Sequence, residues 1–276
     1  MTRRRSQTGP PPELAQQLLR VCYLPAHDAG AMWDAALAGS LDLDALHVDL
    51  HGLLPLLHRR LVELDRTSPD MDRLKGVRRR LWVQNELRLR AVRTAREELH
   101  AAGAPSVLIG GVGVLVGHLG RADLRPLHDA DLLVTPPDAA VATGALRRAG
   151  WQIGPAWHGG FLLDLHGVRC QDPTGQAVSL RWSSWPPYPD AAHHATQVEL
   201  SDARFDVASA ADLLVHTLLD GPAVHRASDA LAILLGEHDL DWDRVERTAA
   251  ARNARAALRD SLAALDAIVP LPRSVT

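Results

Sequence analysis

The chain has 276 residues, is 46% hydrophobic and carries a formal net charge of -3. That length can bury one large core or two small ones, and the near-balanced charge provides no global basic field that would draw nucleic acid. Two cysteines, Cys22 and Cys170, make neither a disulfide framework nor a zinc cluster, which fits a reducing cytoplasm.

The start, Met1-Thr2-Arg3-Arg4-Arg5, is basic and runs into Pro10-Pro11-Pro12. It lacks the apolar run of a signal peptide, and no transmembrane run follows, so a cytoplasmic protein with no membrane partner is expected. Residues 1–12 read as a disordered arm. Pro11-Pro12-Glu13 opens a helix bearing Leu14, Leu18, Leu19 and Val21. A second helix is predicted over 30–38. A third is predicted over 42–64, where Pro55 kinks or splits it.

Residues 70–102 give the longest helical pattern, with Asp70 as N-cap and Gly103 as stop. Its polar face is basic: Arg73, Lys75, Arg78, Arg79, Arg80, Arg88, Arg90, Arg93 and Arg96. Such a face is either a track for a polyanion or a solvated surface paired with Glu86, Glu97 and Glu98. The scarcity of interleaved aromatics for base stacking favours the solvated surface. Lys75 is the chain's only lysine. With positive charge carried almost entirely by arginine, a phosphate grip other than backbone N–H is expected from arginine or a metal.

A short buried strand is predicted over 106–109 and a short helix over 112–119. Between them Gly110, Gly111 and Gly113 let backbone approach a ligand closely. The next strand, 128–134, begins His128-Asp129-Ala130-Asp131. Strand side chains alternate, so Asp129 and Asp131 project to one side. A carboxylate pair suits a hard divalent cation such as Mg²⁺, and a metal facing a glycine turn suits phosphoryl or nucleotidyl transfer. His128-Asp129 also matches the metal pair of phosphohydrolases, but the further histidines that chemistry needs have no convincing place.

Downstream, a helix over 136–149 ends at Gly150. Strands are predicted over 151–153, 161–166, 168–171 and 177–182, with Asp172-Pro173-Thr174-Gly175 turning between the last two. His193-His194 falls in a loop over 190–196, where adjacent histidines are usually solvated. Helices follow over 209–219, 224–235, 241–251 and 253–268, the first with Ser209 as N-cap and Asp212 at the capping-box position.

The run Arg125-Pro126-Leu127-His128-Asp129-Ala130-Asp131-Leu132-Leu133-Val134, behind the Gly110-Gly111 turn, resembles the DNA polymerase β-like nucleotidyltransferases. It is most similar to a bacterial branch of stand-alone, uncharacterised members. The resemblance extends, more weakly, from about Asn85 to Val245. It takes in Leu213-Leu214-Val215-His216, Ser228-Asp229-Ala230-Leu231 and Asp241-Trp242-Asp243. His216 and Asp229 read there as helix-packing polar residues.

The resemblance implies an α/β (α+β) fold: a small mixed sheet flanked by N-terminal helices and a C-terminal helical bundle. The expected divisions are an arm over 1–12, a helical region over 13–103, a nucleotidyltransferase core over 104–206 and a helical region over 207–270. It also implies Mg²⁺ as cofactor, held by Asp129 and Asp131. A nucleoside triphosphate would lie against Gly110 and Gly111, positioned by Arg125, with a small molecule or peptide as acceptor.

Two departures from the branch's pattern bear on activity. Gly110 stands where the branch carries lysine. The fold's third carboxylate, expected in an acid-Leu-His-Trp context, meets Ser179-Leu180-Arg181-Trp182. Ser179 and Arg181 thus fall on the nucleotide side of the site without supplying an acid. Asp164 is the replacement metal ligand if the strand register differs, and Asp172 a weaker one. Three functions follow as expectations: a Mg²⁺-dependent nucleotidyltransferase, a degenerate binding or scaffold protein of a biosynthetic pathway, and a toxin-like enzyme acting on tRNA, supported only by the basic helix.

Overall fold

Apolar residues at helical spacing build the first third of the chain, in a computed structural model that describes residues 13–159, 165–183, 188–219, 224–236 and 239–272. Helix α1 (Glu13–Tyr23) buries Leu18, Leu19 and Val21, and α2 (Ala26–Met32) runs on into a π turn over Trp33–Leu37. Pro55 splits the helix predicted over 42–64: a 3₁₀ turn (Val48–Leu53) hands over to α3 (Leu54–Glu63). Proline fits α3's first turn because its missing N–H has no partner to lose there.

Helix α4 (Met71–Ala101) spans 31 residues, and the chain leaves it through Gly103 at φ +76°. Asp70 stands at its N-cap position, but its side chain accepts from Arg73 rather than capping a helix N–H. Five cations of its basic face are tied to other parts of the molecule or to α4 itself. Arg73 pairs with Asp44 and Asp70, Arg78 with Asp123, Arg93 with Glu86 and Arg96 with Asp206, while Arg88 donates to the Leu127 carbonyl.

Strand β1 (Val107–Ile109) leads directly into α5 (Gly110–Val114), which loosens into a π turn over Leu115–Leu119 and stops at Gly120, φ +61°. The glycines thus open the helix rather than precede it. An irregular stretch follows, pinned by the wholly buried Asn85 of α4. Its Nδ2 donates to the carbonyls of Ala122 and Arg125, both at 2.7 Å, and its Oδ1 accepts from Leu127 N–H.

Strand β2 (Asp131–Leu133) is shorter than the 128–134 predicted, although bonds from Ser179 N–H to the Ala130 carbonyl and from Val134 N–H to the Arg181 carbonyl prolong its pairing. Then come α6 (Ala139–Arg148), β3 (Gln152–Gly159), β4 (Leu165–Gln171) and β5 (Ala177–Ser183). The Asp172 turn joins the last two, with Gly175 at φ +89°. Most of the strand predicted over 161–166, with Asp164, lies outside the described residues.

Strands β6 (Thr196–Leu200) and β7 (Ala203–Val207) form a hairpin the sequence reading did not anticipate. Its two turn residues, Ser201 and Asp202, both take positive φ, 49° and 60°. That is the primed geometry that Asn-Gly usually announces, here without a glycine.

The C-terminal helices are α7 (Ala210–Leu219), α8 (Val224–Gly236), α9 (Trp242–Ala251) and α10 (Arg255–Asp266). Ser209 caps α7 as predicted, accepting from Asp212 N–H. The Asp212 side chain accepts two bonds from Arg244 of α9, at 2.9 and 2.7 Å, in a nearly dry interior.

Among the described residues seven strands form one mixed sheet in the order β3-β4-β5-β2-β1-β7-β6, flanked by helices as expected. Leu108, Leu132 and Leu180 stack at its buried centre. Tyr23 of α1 donates to the Ser228 carbonyl of α8 at 2.7 Å, tying the first helix to the C-terminal ones.

Candidate nucleotide site

Strands β1 and β2 run antiparallel, with Ile109 opposite Asp131. The exit of one strand therefore lies beside the entrance of the other, and this convergence creates the site. Gly110 leaves β1 at φ +58°; a Cβ there would stand 3.1 Å from Asp131 Oδ2 and 3.4 Å from His216 Nε2. A side chain at position 110 would thus be strained by the backbone and crowded by the carboxylate. Ala130 turns into the core, while Asp129 and Asp131 on either side of it both line one cleft of about 180 Å³. Asp131 opens β2 and Asp129 lies just ahead of it, so the expected alternation of faces holds although Asp129 is outside the strand.

The two carboxylates differ. Asp129 is half exposed, with Arg169 Nη1 at 3.6 Å. Asp131 is buried, and Arg181 Nε donates to its Oδ1 at 2.5 Å. Arg181 reaches it because β5 runs parallel to β2 with Ser179 opposite Asp131 and Arg181 opposite Leu133.

Arg125 also lines the cleft, held from behind. Its Nε and Nη2 donate to the two oxygens of the buried Asp229 at 2.6 and 2.8 Å, and its Nη1 to the Pro126 carbonyl at 2.7 Å. A Cβ on Gly111 would fall 2.3 Å from Arg125 Nη1. The bareness of Gly111 therefore seats this guanidinium as well as opening backbone to the cleft. Gly113 serves packing: a Cβ there would meet Leu213 Cδ2 at 2.8 Å.

Gly110, Gly111, Arg125, Asp129 and Asp131 are thus brought to one cleft. Ser179 and Arg181 do not line it: Ser179 lies opposite Asp131 in the sheet register, and Arg181 is bonded to Asp131. Asp164 lies outside the described residues. Asp172 is committed to its turn, accepting from Thr174 and Gln176 N–H. His193 and His194 are exposed on a 3₁₀ turn and do not line the cleft.

The C-terminal helices supply residues that the sequence reading treated as packing or passed over: His216 and Thr217 from α7, and His225, Arg226 and Asp229 from α8. The signal was the four-residue spacing of His225 and Asp229, which puts both on one helix face. Burial and the nearby Arg125 hold the His225 imidazole below its ordinary range against the pull of Asp229, so it is neutral at neutral pH. Burial pushes the thiols of Cys22 and Cys170 up to about 12 and about 11, so neither is a nucleophile at neutral pH.

Comparison with known proteins decides the family. The model of a family described as uncharacterised nucleotidyltransferases matches residues 21–270. The chain belongs to that family. No curated protein matches the sequence at a significant level. Among solved structures, the solution structure of the antibiotic-resistance factor ANT(2'')-Ia is 14% identical and covers 64% of this chain and 96% of its own, with a TM-score of 0.45. The crystal structure of ANT(2'')-Ia with adenylyl-2''-tobramycin is 15% identical, covers 60% and 97%, and has a TM-score of 0.44. An antigenic nucleotidyltransferase-like protein from Paracoccidioides brasiliensis is 16% identical, covers 62% and 88%, and has a TM-score of 0.37.

Within this nucleotidyltransferase family member, the donor chemistry fits Mg²⁺ at two ligand positions. Magnesium is often held by one or two carboxylates, with phosphate oxygens and water completing the octahedron. Asp129 and Asp131 meet that minimum. Among the described residues, no group of three His, Cys, Asp or Glu could hold a metal ion, and Ser179 occupies the register position opposite Asp131. Also among the described residues, no helix is long and apolar enough to cross a membrane.

Proposed function

We propose that this protein is a Mg²⁺-dependent nucleotidyltransferase that moves a nucleoside monophosphate from a nucleoside triphosphate to a small-molecule or peptide acceptor. The observation that carries the reading is the meeting of Asp129, Asp131 and the bare backbone of Gly110 and Gly111 in one cleft. Asp129 and Asp131 would hold the Mg²⁺, which when bound neutralises triphosphate charge. Arg226 and Arg125 lend the same wall positive charge, and Asp229 fixes the orientation of Arg125. Residues 104–206 would form the transferase core, with α7 and α8 completing its cleft.

Ser179 bears on the acceptor. A hydroxyl acceptor must lose a proton, and a serine cannot take it as a third carboxylate could. An acceptor that is already anionic, such as a phosphate, needs no such base. The reading therefore favours phosphate over hydroxyl.

A second reading is nucleotide binding without transfer. The bond from Arg181 to Asp131 favours it, because a guanidinium occupies a carboxylate oxygen that a metal would otherwise claim. Calorimetry with ATP, GTP, CTP and UTP, with and without Mg²⁺, alongside pyrophosphate release with anionic and hydroxyl acceptors, separates the two. Metal-dependent binding lost in Asp129→Asn/Asp131→Asn, together with pyrophosphate release, supports transfer. Binding without release supports the second reading. Absence of nucleotide binding under every condition overturns both.

A further inference from the structure

A larger cavity, about 370 Å³, opens between α3 and α4 and is lined by His58, Lys75, Arg78, Arg79, Trp82 and Asp123. The four residues from α4 follow the spacing i, i+3, i+4, i+7, so one helix face presents them all. Its charge is strongly one-sided. Asp123 is the sole acid among the described residues of the lining and is already engaged by Arg78 (2.7 Å) and Arg121 (3.0 Å). Lys75 and Arg79 are exposed and form no hydrogen bond or ion pair among the described residues.

His58 adds no free acceptor. Arg78 Nη1 lies 3.2 Å from its Nδ1, and a guanidinium can only donate. Nδ1 therefore accepts, and in the neutral ring the proton sits on Nε2. The polar lining thus offers donors, and two of its cations have no internal task. Trp82 adds an aromatic surface that is 52% exposed. An indole beside uncommitted cations suits a ring that stacks and a phosphate that is gripped.

We propose that this cavity binds a small phosphorylated ring compound of nucleoside monophosphate size. Its volume lies at the lower end of the range of roughly 300–1,000 Å³ typical of small-ligand sites. A nucleic-acid strand fits less well, because Arg73 before the cavity and Arg88, Arg93 and Arg96 beyond it are tied to the protein's own groups. The site is separate from the Asp129–Asp131 cleft, although one segment serves both, giving Asp123 to the cavity and Arg125 to the cleft.

The test titrates the full chain with AMP in Mg²⁺-free buffer, in the Asp129→Asn/Asp131→Asn background, by calorimetry and tryptophan fluorescence. Saturable one-to-one binding is expected, with quenching that disappears in Trp82→Leu. Affinity is expected to fall about tenfold in Lys75→Ala/Arg79→Ala and about tenfold in Trp82→Leu. Inorganic phosphate is expected to compete, and adenosine to bind at least about tenfold more weakly than AMP. These substitutions fall on exposed helix positions, and retained thermal unfolding verifies folding. Three results overturn the assignment: no saturable binding of AMP, affinity unchanged in Lys75→Ala/Arg79→Ala, or adenosine binding as tightly as AMP.

Discussion

Gly111→Ala tests the packing logic of the cleft most directly. The added methyl would lie 2.3–2.5 Å from three atoms of the Arg125 guanidinium, well inside contact distance. Arg125 cannot withdraw without loosening its two bonds to Asp229, whose side chain is only 5% exposed. Breaking a buried pair costs about 3–5 kcal/mol, because it leaves an uncompensated charge. Arg125 retains some access to solvent and can relax into the cleft, so the lower end, about 3 kcal/mol, is expected. The effect should change sign when the pair is gone. In an Arg125→Ala/Asp229→Ala background the same methyl has room, and alanine within a helix is favoured over glycine by roughly 0.5–1 kcal/mol. Urea unfolding of the four proteins in this cycle gives both numbers. A similar cost of Gly111→Ala in both backgrounds would refute the claim that the glycine exists to seat the guanidinium.

Three further outcomes are expected. Asp212→Asn leaves Arg244 facing an amide in a dry interior and should cost about 3 kcal/mol in urea unfolding, while Asp212→Leu/Arg244→Met should restore most of it; equal stability of the single variant and the parent would contradict this. Burial, Arg78 and Lys75, opposed by Asp123, hold folded His58 below its ordinary value of 6.5. Below pH 6.5 the unfolded chain therefore takes up a proton that the folded chain resists, and stability falls as pH drops. His58→Gln should flatten the dependence of the urea midpoint on pH just below 6.5, and an unchanged slope argues against it. Ser179→Asp would set a carboxylate opposite Asp131 and, on the proposed function, should tighten Mg²⁺-dependent ATP binding about tenfold by calorimetry; weaker binding would remove position 179 from the metal's surroundings.

The elements that local patterning dictates were legible in the sequence. Pro55 splits its helix, Gly103, Gly120 and Gly150 take positive φ where helices stop, and the Asp129-Ala130-Asp131 alternation delivers both acids to one cleft. Long-range choices were harder to read. Asp212 sat at a capping position, yet Arg244, 32 residues away, claimed its side chain. The β6–β7 turn uses Ser201 and Asp202, a pair with no strong turn signature. Asp229 looked like a packing residue because its partner, Arg125, lies 104 residues upstream. The basic face of α4 looked uniform, and only the contacts of the fold separate the arginines that staple it from Lys75, Arg79, Arg80 and Arg90.

Asn85 shows how a residue outside the cleft can shape it. The stretch from Ala122 to Leu127 has no neighbouring strand to satisfy its peptide groups, and one side-chain amide takes that part for three of them. Aspartate in its place would turn an acceptor toward two carbonyls, and leucine would strand all three groups without solvent. A saturation library should therefore find position 85 nearly as intolerant as position 131, although Asn85 does not line the cleft. The span it anchors carries Arg125 and leads into Asp129, so loosening that one amide would blur the aim of everything downstream.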